Sequence, residues 1–130
     1  KEIKMKIVGG ENAGETDCFI NTISIGRRFA GGFYLTPKAL ADDGLLDVCM
    51  IKKLNLLQRL KILMQVPKGT HIHDPKVNYY QTPNLQVSFD KEVPYHLDGE
   101  LFFATEIDVS LLPKALNFIY NPNGEHFFKD

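Results

Sequence analysis

The chain has 130 residues, a formal net charge of −1 and 44% hydrophobic residues. These values predict a globular domain with its own hydrophobic core and argue against a disordered chain. Lysine and arginine residues are spread along the sequence instead of forming a basic stripe, so we do not expect a nucleic-acid partner.

The first half of the chain alternates predicted strands with turns. Ile3–Val8 alternates lysines with apolar residues, a period-2 pattern typical of a half-buried strand. Cys18–Ile25 is rich in β-branched and aromatic residues, which favours a second strand. Pro37–Ala41 predicts a short helical turn that begins with proline. Leu45–Ile51 is an almost continuous apolar run, which predicts a strand buried on both faces.

One segment predicts a good helix, from Leu56 to about Gln65. Asn55 is a plausible N-cap, and Pro67 and Gly69 follow the end of the segment. Leucine and methionine side chains within it recur at helical spacing and form one apolar stripe. This apolar stripe consists of Leu56, Leu57, Leu60, Leu63 and Met64.

The second half of the chain predicts further strands, separated at short intervals by Pro, Gly and Asn. They are Val77–Gln81, Leu85–Asp90, Val93–Leu97, Phe102–Ser110 and Ala115–Tyr120, followed by a loosely held tail over residues 121–130. Such closely spaced strands favour a sandwich or barrel over alternating strands and helices. We therefore predict a mainly β fold, an antiparallel β-sandwich with one main α-helix at about 56–65, in a single domain over residues 1–130.

The sequence also indicates where the protein resides. Cys18 and Cys49 each lie in an apolar run, which predicts buried free thiols in a cytosolic protein. We find no signal peptide and no apolar run near the roughly 20 residues of a membrane-spanning helix. Because the first residue is Lys1, we expect a piece of a longer protein.

Two acidic stretches are candidates for chemistry. Asp98-Gly99-Glu100 lies between hydrophobic residues, and Asp-Gly in that setting is a strong signal for a tight hairpin. Its alternative interpretation is catalytic, because a carboxylate there can accept the proton of an attacking hydroxyl or help to hold phosphate-bound magnesium. Asp42-Asp43-Gly44 is either a solvated turn or a site for a hard cation, which favours carboxylate and carbonyl oxygens.

Two basic stretches allow similar alternatives. Arg27 and Arg28 precede a Gly-Gly pair and are suited to a phosphate or an acidic lipid head group, or they are surface residues of a connecting loop. The segment His71-Ile72-His73-Asp74 contains residue types that bind zinc, but no distant Cys or His completes the ligand set. The sequence contains no glycine-rich phosphate loop and therefore no recognisable motif that would bind ATP.

Read in order, these stretches resemble one family. The run from Gly31 to Val48 is similar to the Gly-Gly, Pro-x-Ala and Asp-Gly-Leu-Leu-Asp signature of diacylglycerol-kinase-like bacterial lipid kinases, a family related to sphingosine and ceramide kinases. A helix, Gly69-Thr70-His71, then Asp98-Gly99-Glu100 and Pro113-x-Ala-Leu follow as in that family. The resemblance covers roughly residues 18–122. The third glycine often found beside Gly31-Gly32 is missing.

The resemblance implies the C-terminal β-sandwich of a two-domain, ATP-dependent lipid kinase, either whole or without its first strands. The N-terminal ATP-binding domain is absent from this chain, so we expect the chain alone to be inactive. Asp98 or Glu100 matches the base that activates the lipid hydroxyl. Asp43 matches a carboxylate that binds Mg²⁺ together with the backbone carbonyls of Leu40 and Leu45.

The same resemblance implies partners and a place in the cell. We expect ATP as co-substrate, a lipid such as diacylglycerol as acceptor, and peripheral association with the inner face of the cell membrane from the cytoplasm. A homodimer is a further expectation. The alternative function is a non-catalytic β-sandwich module that binds lipid or carbohydrate, and a third is a structural or assembly domain.

Overall fold

The computed structural model describes residues 4–8 and 12–128. Its strands, in chain order, are β1 (Lys4–Val8), β2 (Gly14–Ser24), β3 (Leu46–Lys52), β4 (Val77–Thr82), β5 (Asn84–Leu97) and β6 (Glu100–Ser110). Helix α1 spans Leu56–Gln65, and two short 3₁₀ helices, Val66–Lys68 and Thr70–His73, follow it. These strands form one antiparallel sheet in the order β4-β3-β2-β1-β5-β6. The predicted mainly β fold with one main helix is confirmed.

The sheet curls around one core and carries α1 on its other face. Strand β3 explains how, because its residues alternate between two clusters. Leu46, Val48 and Met50 pack with β1 and β5, which are not hydrogen-bonded neighbours of β3. Cys49 and Ile51 point the other way, into a cluster with α1 and the first 3₁₀ helix. Burial of both faces of β3 is therefore confirmed, and it follows from the alternation of side chains along a strand.

Helix α1 begins where the sequence predicts. Asn55 accepts a hydrogen bond from the backbone N–H of Gln58 at 2.9 Å, and the Gln58 side chain accepts one from the Asn55 N–H at 3.0 Å. This reciprocal capping box satisfies donors that a helix N-terminus otherwise leaves unpaired. The apolar stripe, however, does not pack on the core: Ile62 is the buried residue of α1. The helix was predicted correctly, and its apolar stripe faces solvent.

Two predicted elements are absent from the structure. Pro37–Ala41 forms one hydrogen-bonded turn, Ala39 N–H to Thr36 O at 3.1 Å, and no helix. The Ala41 N–H, which would bond to the Pro37 carbonyl in a helix, bonds instead to the Phe127 carbonyl at 3.0 Å.

The segment Ala115–Tyr120 is not a strand either. Pro113 and Lys114, the latter at φ +57°, turn the chain away from the end of β6, so the segment has no strand to pair with. Within the predicted tail, Glu125 and Phe127 contact the 27–41 loop, and residues 129–130 lie outside the described residues.

The remaining strand predictions differ from the structure at their ends. The first predicted residue, Ile3, lies outside the described residues. Strand β2 begins at Gly14, before the predicted start, and β5 joins the two predicted segments into one irregular strand. Both cysteines are free, as predicted, although Cys18 is only half-buried.

Candidate functional site: a cavity and an acidic loop

Asp98 and Gly99 form the tight turn between β5 and β6. Leu97 pairs with Glu100 across the hairpin, and Asp98 and Gly99 have φ values of +49° and +94°. Positive φ at both central residues is the signature of a type I′ turn, which matches the twist of the flanking strands. The hairpin prediction is confirmed, and aspartate tolerates this backbone better than most residues.

Beside this turn lies a cavity of about 470 Å³ within the curled sheet. Its walls come mostly from apolar residues of β1, β2, β5 and β6, such as Met5, Phe19 and Phe89. Asp98 and His96 are among the lining residues, whereas Glu100 is not. The structure therefore places Asp98, one of the two predicted carboxylate residues, in the lining of an apolar cavity, where Asp98 itself is exposed.

The second acidic stretch forms a loop built around a glutamine. Asp43 Oδ1 accepts a hydrogen bond from the Leu45 N–H at 2.9 Å, so its carboxylate folds back on its own turn. Gln81 Nε2 lies 3.4 Å from Asp43 Oδ2 and 3.3 Å from both carboxylate oxygens of Asp47. Gln81, one strand away, thus brings the two carboxylates together at the start of β3.

Asp47 is fully buried and hydrogen-bonded, unlike an ordinary turn residue. The Tyr79 hydroxyl donates a short hydrogen bond to Asp47 Oδ1 and accepts one from the Lys38 N–H at 3.3 Å. Burial is the largest cause that raises the pKa of the Tyr79 hydroxyl, and the hydrogen bond to Asp47 is the second. Tyr79 and Gln81 are not recognisable as site residues from the sequence, because only the register of β3 and β4 places them opposite Cys49 and Asp47.

The donor set of this loop fits a hard cation. Asp43, Asp47 and the neighbouring backbone carbonyls offer only oxygen atoms, which Mg²⁺ and Ca²⁺ prefer. Within residues 4–8 and 12–128, no group of three or more His, Cys, Asp and Glu side chains could hold a metal ion. Backbone carbonyls such as those of Leu40 and Leu45 would therefore have to complete a site.

Arg27 and Arg28 hold the C-terminal segment against their loop. Arg27 Nε donates to the Ala39 carbonyl at 2.7 Å, and its guanidinium lies 4.7 Å from the centre of the Phe127 ring. Arg28 pairs with Glu125 at 3.3 Å. Their role at a lipid head group stays a prediction.

His71 lies in the protein interior with no exposed surface. Its Nε2 is 3.1 Å from the Leu35 carbonyl and 3.6 Å from Cys49 Sγ, while its Nδ1 has no hydrogen-bond partner among the described residues. Burial lowers the pKa of this imidazole, and the bond to Leu35 opposes that shift. A neutral ring that donates from Nε2 satisfies this geometry, so His71 is a packing residue of the interior.

Comparison with known proteins agrees with the fold and the motifs. Over 108 residues the chain is 32% identical to a "Probable lipid kinase YegS-like" protein of Shewanella frigidimarina, covering 82% of this chain and 34% of that protein. It is 28% identical over 100 residues to a diacylglycerol kinase of Bacillus subtilis, covering 76% and 32% of the two chains. The chain thus spans about a third of the length of these curated relatives.

Solved structures show the same fold. A crystal structure of a diacylglycerol kinase from Bacillus anthracis str. Sterne matches 93% of this chain and 43% of its own, with a TM-score of 0.68 and 18% identity. A second structure from that organism gives a TM-score of 0.73 at 20% identity. Among the described residues, no helix is long and apolar enough to cross a bilayer.

The family model for the YegS C-terminal NAD kinase beta sandwich-like domain matches residues 1–120. The resemblance that the sequence motifs indicated is thereby confirmed, and the chain belongs to this family of lipid-kinase C-terminal domains.

Proposed function

We propose that this chain is the lipid-side domain of an ATP-dependent lipid kinase, which transfers the γ-phosphoryl group of ATP to a lipid hydroxyl. The observation that carries the proposal is an apolar cavity with Asp98 in its wall. An apolar cavity suits the hydrocarbon part of a lipid, and a carboxylate suits its hydroxyl. The names of the curated relatives support the reaction class.

The proposed chemistry assigns one proton and one phosphoryl group. Asp98 accepts the proton of the lipid hydroxyl as its oxygen forms a bond to the γ-phosphorus, and the bond to the ADP oxygen breaks. An N-terminal domain would hold ATP, so the chain by itself is inactive. Glu100 remains the second candidate base, but the cavity favours Asp98, because Glu100 does not line it.

Asp43 would hold Mg²⁺ with the carbonyls of Leu40 and Leu45. A cation that binds only the folded state stabilises it by RT ln(1 + c/Kd), where c is the free cation concentration, or about 2.7 kcal/mol at one hundred times its dissociation constant. MgCl₂ should therefore raise the melting temperature of the chain, and Asp43→Asn should abolish the rise. Asp90→Asn, on an exposed residue of β5, is the matched control and should retain it. A rise that survives Asp43→Asn would place the cation elsewhere.

The remaining parts of the proposal concern the surroundings of the site. The acceptor is a membrane lipid such as diacylglycerol, and the protein works in the cytoplasm against the inner face of the membrane, with Arg27 and Arg28 as candidate head-group contacts. A homodimer is compatible with this arrangement.

The decisive experiment uses the full-length protein with labelled ATP and diacylglycerol in mixed micelles. Asp98→Asn should reduce the rate of lipid labelling by about 10²–10⁴-fold, the usual contribution of a general base. Glu100→Gln should retain most of it, and Asp90→Asn all of it. If the native protein labels no lipid, or if Asp98→Asn labels as fast as native, Asp98 serves only its type I′ turn. Either of these results would favour the alternative function, a non-catalytic lipid- or carbohydrate-binding module.

A further inference from the structure

The least expected feature of the surface is the apolar stripe of α1. Its five side chains are between 55% and 79% exposed, whereas Ile62 on the opposite side is buried. The helix thus packs on the domain through Gln58, Ile62 and Gln65 and directs its more hydrophobic side to solvent. Exposed apolar side chains that form one contiguous row mark a docking surface.

The helix also has a charge pattern that identifies the kind of partner. At about 100° per residue, the apolar stripe occupies a sector of about 120°, with Arg59 on one edge and Lys61 on the other. Residues 52–68 contain five lysines and arginines and no acidic residue, although the whole chain carries a net charge of −1. An apolar sector between cations is the pattern of a helix that lies in the interface of an anionic bilayer.

The flanking cations also fix the helix to the domain. The Arg59 guanidinium lies 4.3 Å from the centre of the Phe19 ring, and Lys61 Nζ forms a 2.6 Å ion pair with Asp74 while its side chain stays 61% exposed. Phe19 sits at the irregularity of β2 and lines the cavity. The helix is therefore adjacent to a wall residue of the cavity in which the lipid would bind.

We propose that α1 is a membrane-docking helix, whose apolar stripe enters the surface of an anionic bilayer while the lysines around it meet lipid phosphates. This inference rests on the proposed function, because the substrate of a lipid kinase lies in a bilayer. It assigns to α1 the membrane contact that was expected of Arg27 and Arg28, because on α1 the cations flank an exposed apolar stripe.

The test is sedimentation of the 130-residue chain with vesicles and without ATP, so its result does not depend on catalysis. Vesicles of equal parts phosphatidylglycerol and phosphatidylcholine should bind the chain, and pure phosphatidylcholine should bind it more weakly. The double variant Leu57→Gln/Met64→Gln should lower the partition coefficient at least tenfold. Each substitution removes the favourable free energy of transferring an apolar side chain from water into lipid. Both positions are largely exposed and glutamine is a good helix former, so circular dichroism should show an unchanged fold.

Leu112→Gln is the matched control, because Leu112 is as exposed as Leu57, at 79%, and lies outside α1. It should bind vesicles like the native chain.

Two results with the 130-residue chain would overturn the proposal. One is an equal fall in the partition coefficient of the control and of the double variant. The other is a chain that does not bind anionic vesicles but dimerises through the stripe. In the full-length protein, a double variant that loses stability but not vesicle binding would show that another domain covers the stripe, which also overturns it. If the full-length protein binds vesicles but phosphorylates no lipid, the proposal of a docking helix is supported and only the proposed kinase function is refuted.

Discussion

Removing the Tyr79 hydroxyl tests the buried network that shapes the acidic loop. In Tyr79→Phe the ring keeps its packing against the buried cluster that includes Cys49 and Ile62, but Asp47 loses its short hydrogen bond. Gln81 Nε2, 3.3 Å from both oxygens, remains as a donor to this fully buried carboxylate. Hydrogen bonds to charged groups contribute about 1.5–3 kcal/mol, so we expect a loss of that size in the free energy of unfolding.

The adjacent tyrosine supplies the control. The Tyr80 hydroxyl is buried without a hydrogen-bond partner among the described residues, and burial raises its pKa. Tyr80→Phe removes an unsatisfied polar atom, so its free energy of unfolding should be unchanged or slightly higher. The two variants differ from the native chain by one oxygen each, on neighbouring residues of β4.

Urea unfolding measures both variants. The chain has no tryptophan, so far-ultraviolet circular dichroism is the appropriate signal. Tyr79→Phe should lower the urea midpoint without changing the slope, because the surface exposed on unfolding stays the same. A midpoint equal to that of Tyr80→Phe would show that the bond to Asp47 contributes nothing, and the reasoning on the loop would fail.

Two further perturbations probe the same side of the sheet. Since burial lowers the pKa of His71 in the folded state, the unfolded chain binds more protons below its ordinary pKa of about 6.5. The free energy of unfolding should therefore be constant above that pH and fall on acidification, by at most about 1.4 kcal/mol per pH unit. Urea midpoints should show this dependence in the native chain and in His73→Gln but not in His71→Leu; a dependence that survives His71→Leu would assign it to another group. Gly69→Ala should destabilise the chain by about 1–3 kcal/mol, because Gly69 has φ +66° and an added Cβ would lie 2.8 Å from Pro37 Cβ. Gly32→Ala, in open space, should melt close to the native temperature, and equal melting of the two variants would refute the steric argument.

Local sequence features were predictable because their causes are local. The capping box of Asn55 and Gln58 and the type I′ turn at Asp98-Gly99 each depend on residues within a few positions. The alternation of β3 likewise reflects a period that any strand imposes. The family motifs added the carboxylates at positions 43 and 98, since the ordered series is characteristic even where each motif alone is weak.

The tertiary structure decided which surfaces meet. Periodicity located the apolar stripe of α1, but both sides of a helix are compatible with the same spacing, and the packing of Ile62 on β3 turned the stripe to solvent. The apolar composition of Ala115–Tyr120 predicted a strand, but strands need a hydrogen-bonding neighbour and Pro113 directs the chain away from one.

The network of Asp47, Tyr79 and Gln81 depends on the register of β3 and β4, and the cavity beside Asp98 depends on the curl of the whole sheet. The sequence by itself determined most of the strands, the helix with its N-cap and the family, because these follow from neighbouring residues and ordered motifs. The burial, pairing and cavity depend on contacts between residues distant in the chain, which no local pattern contains.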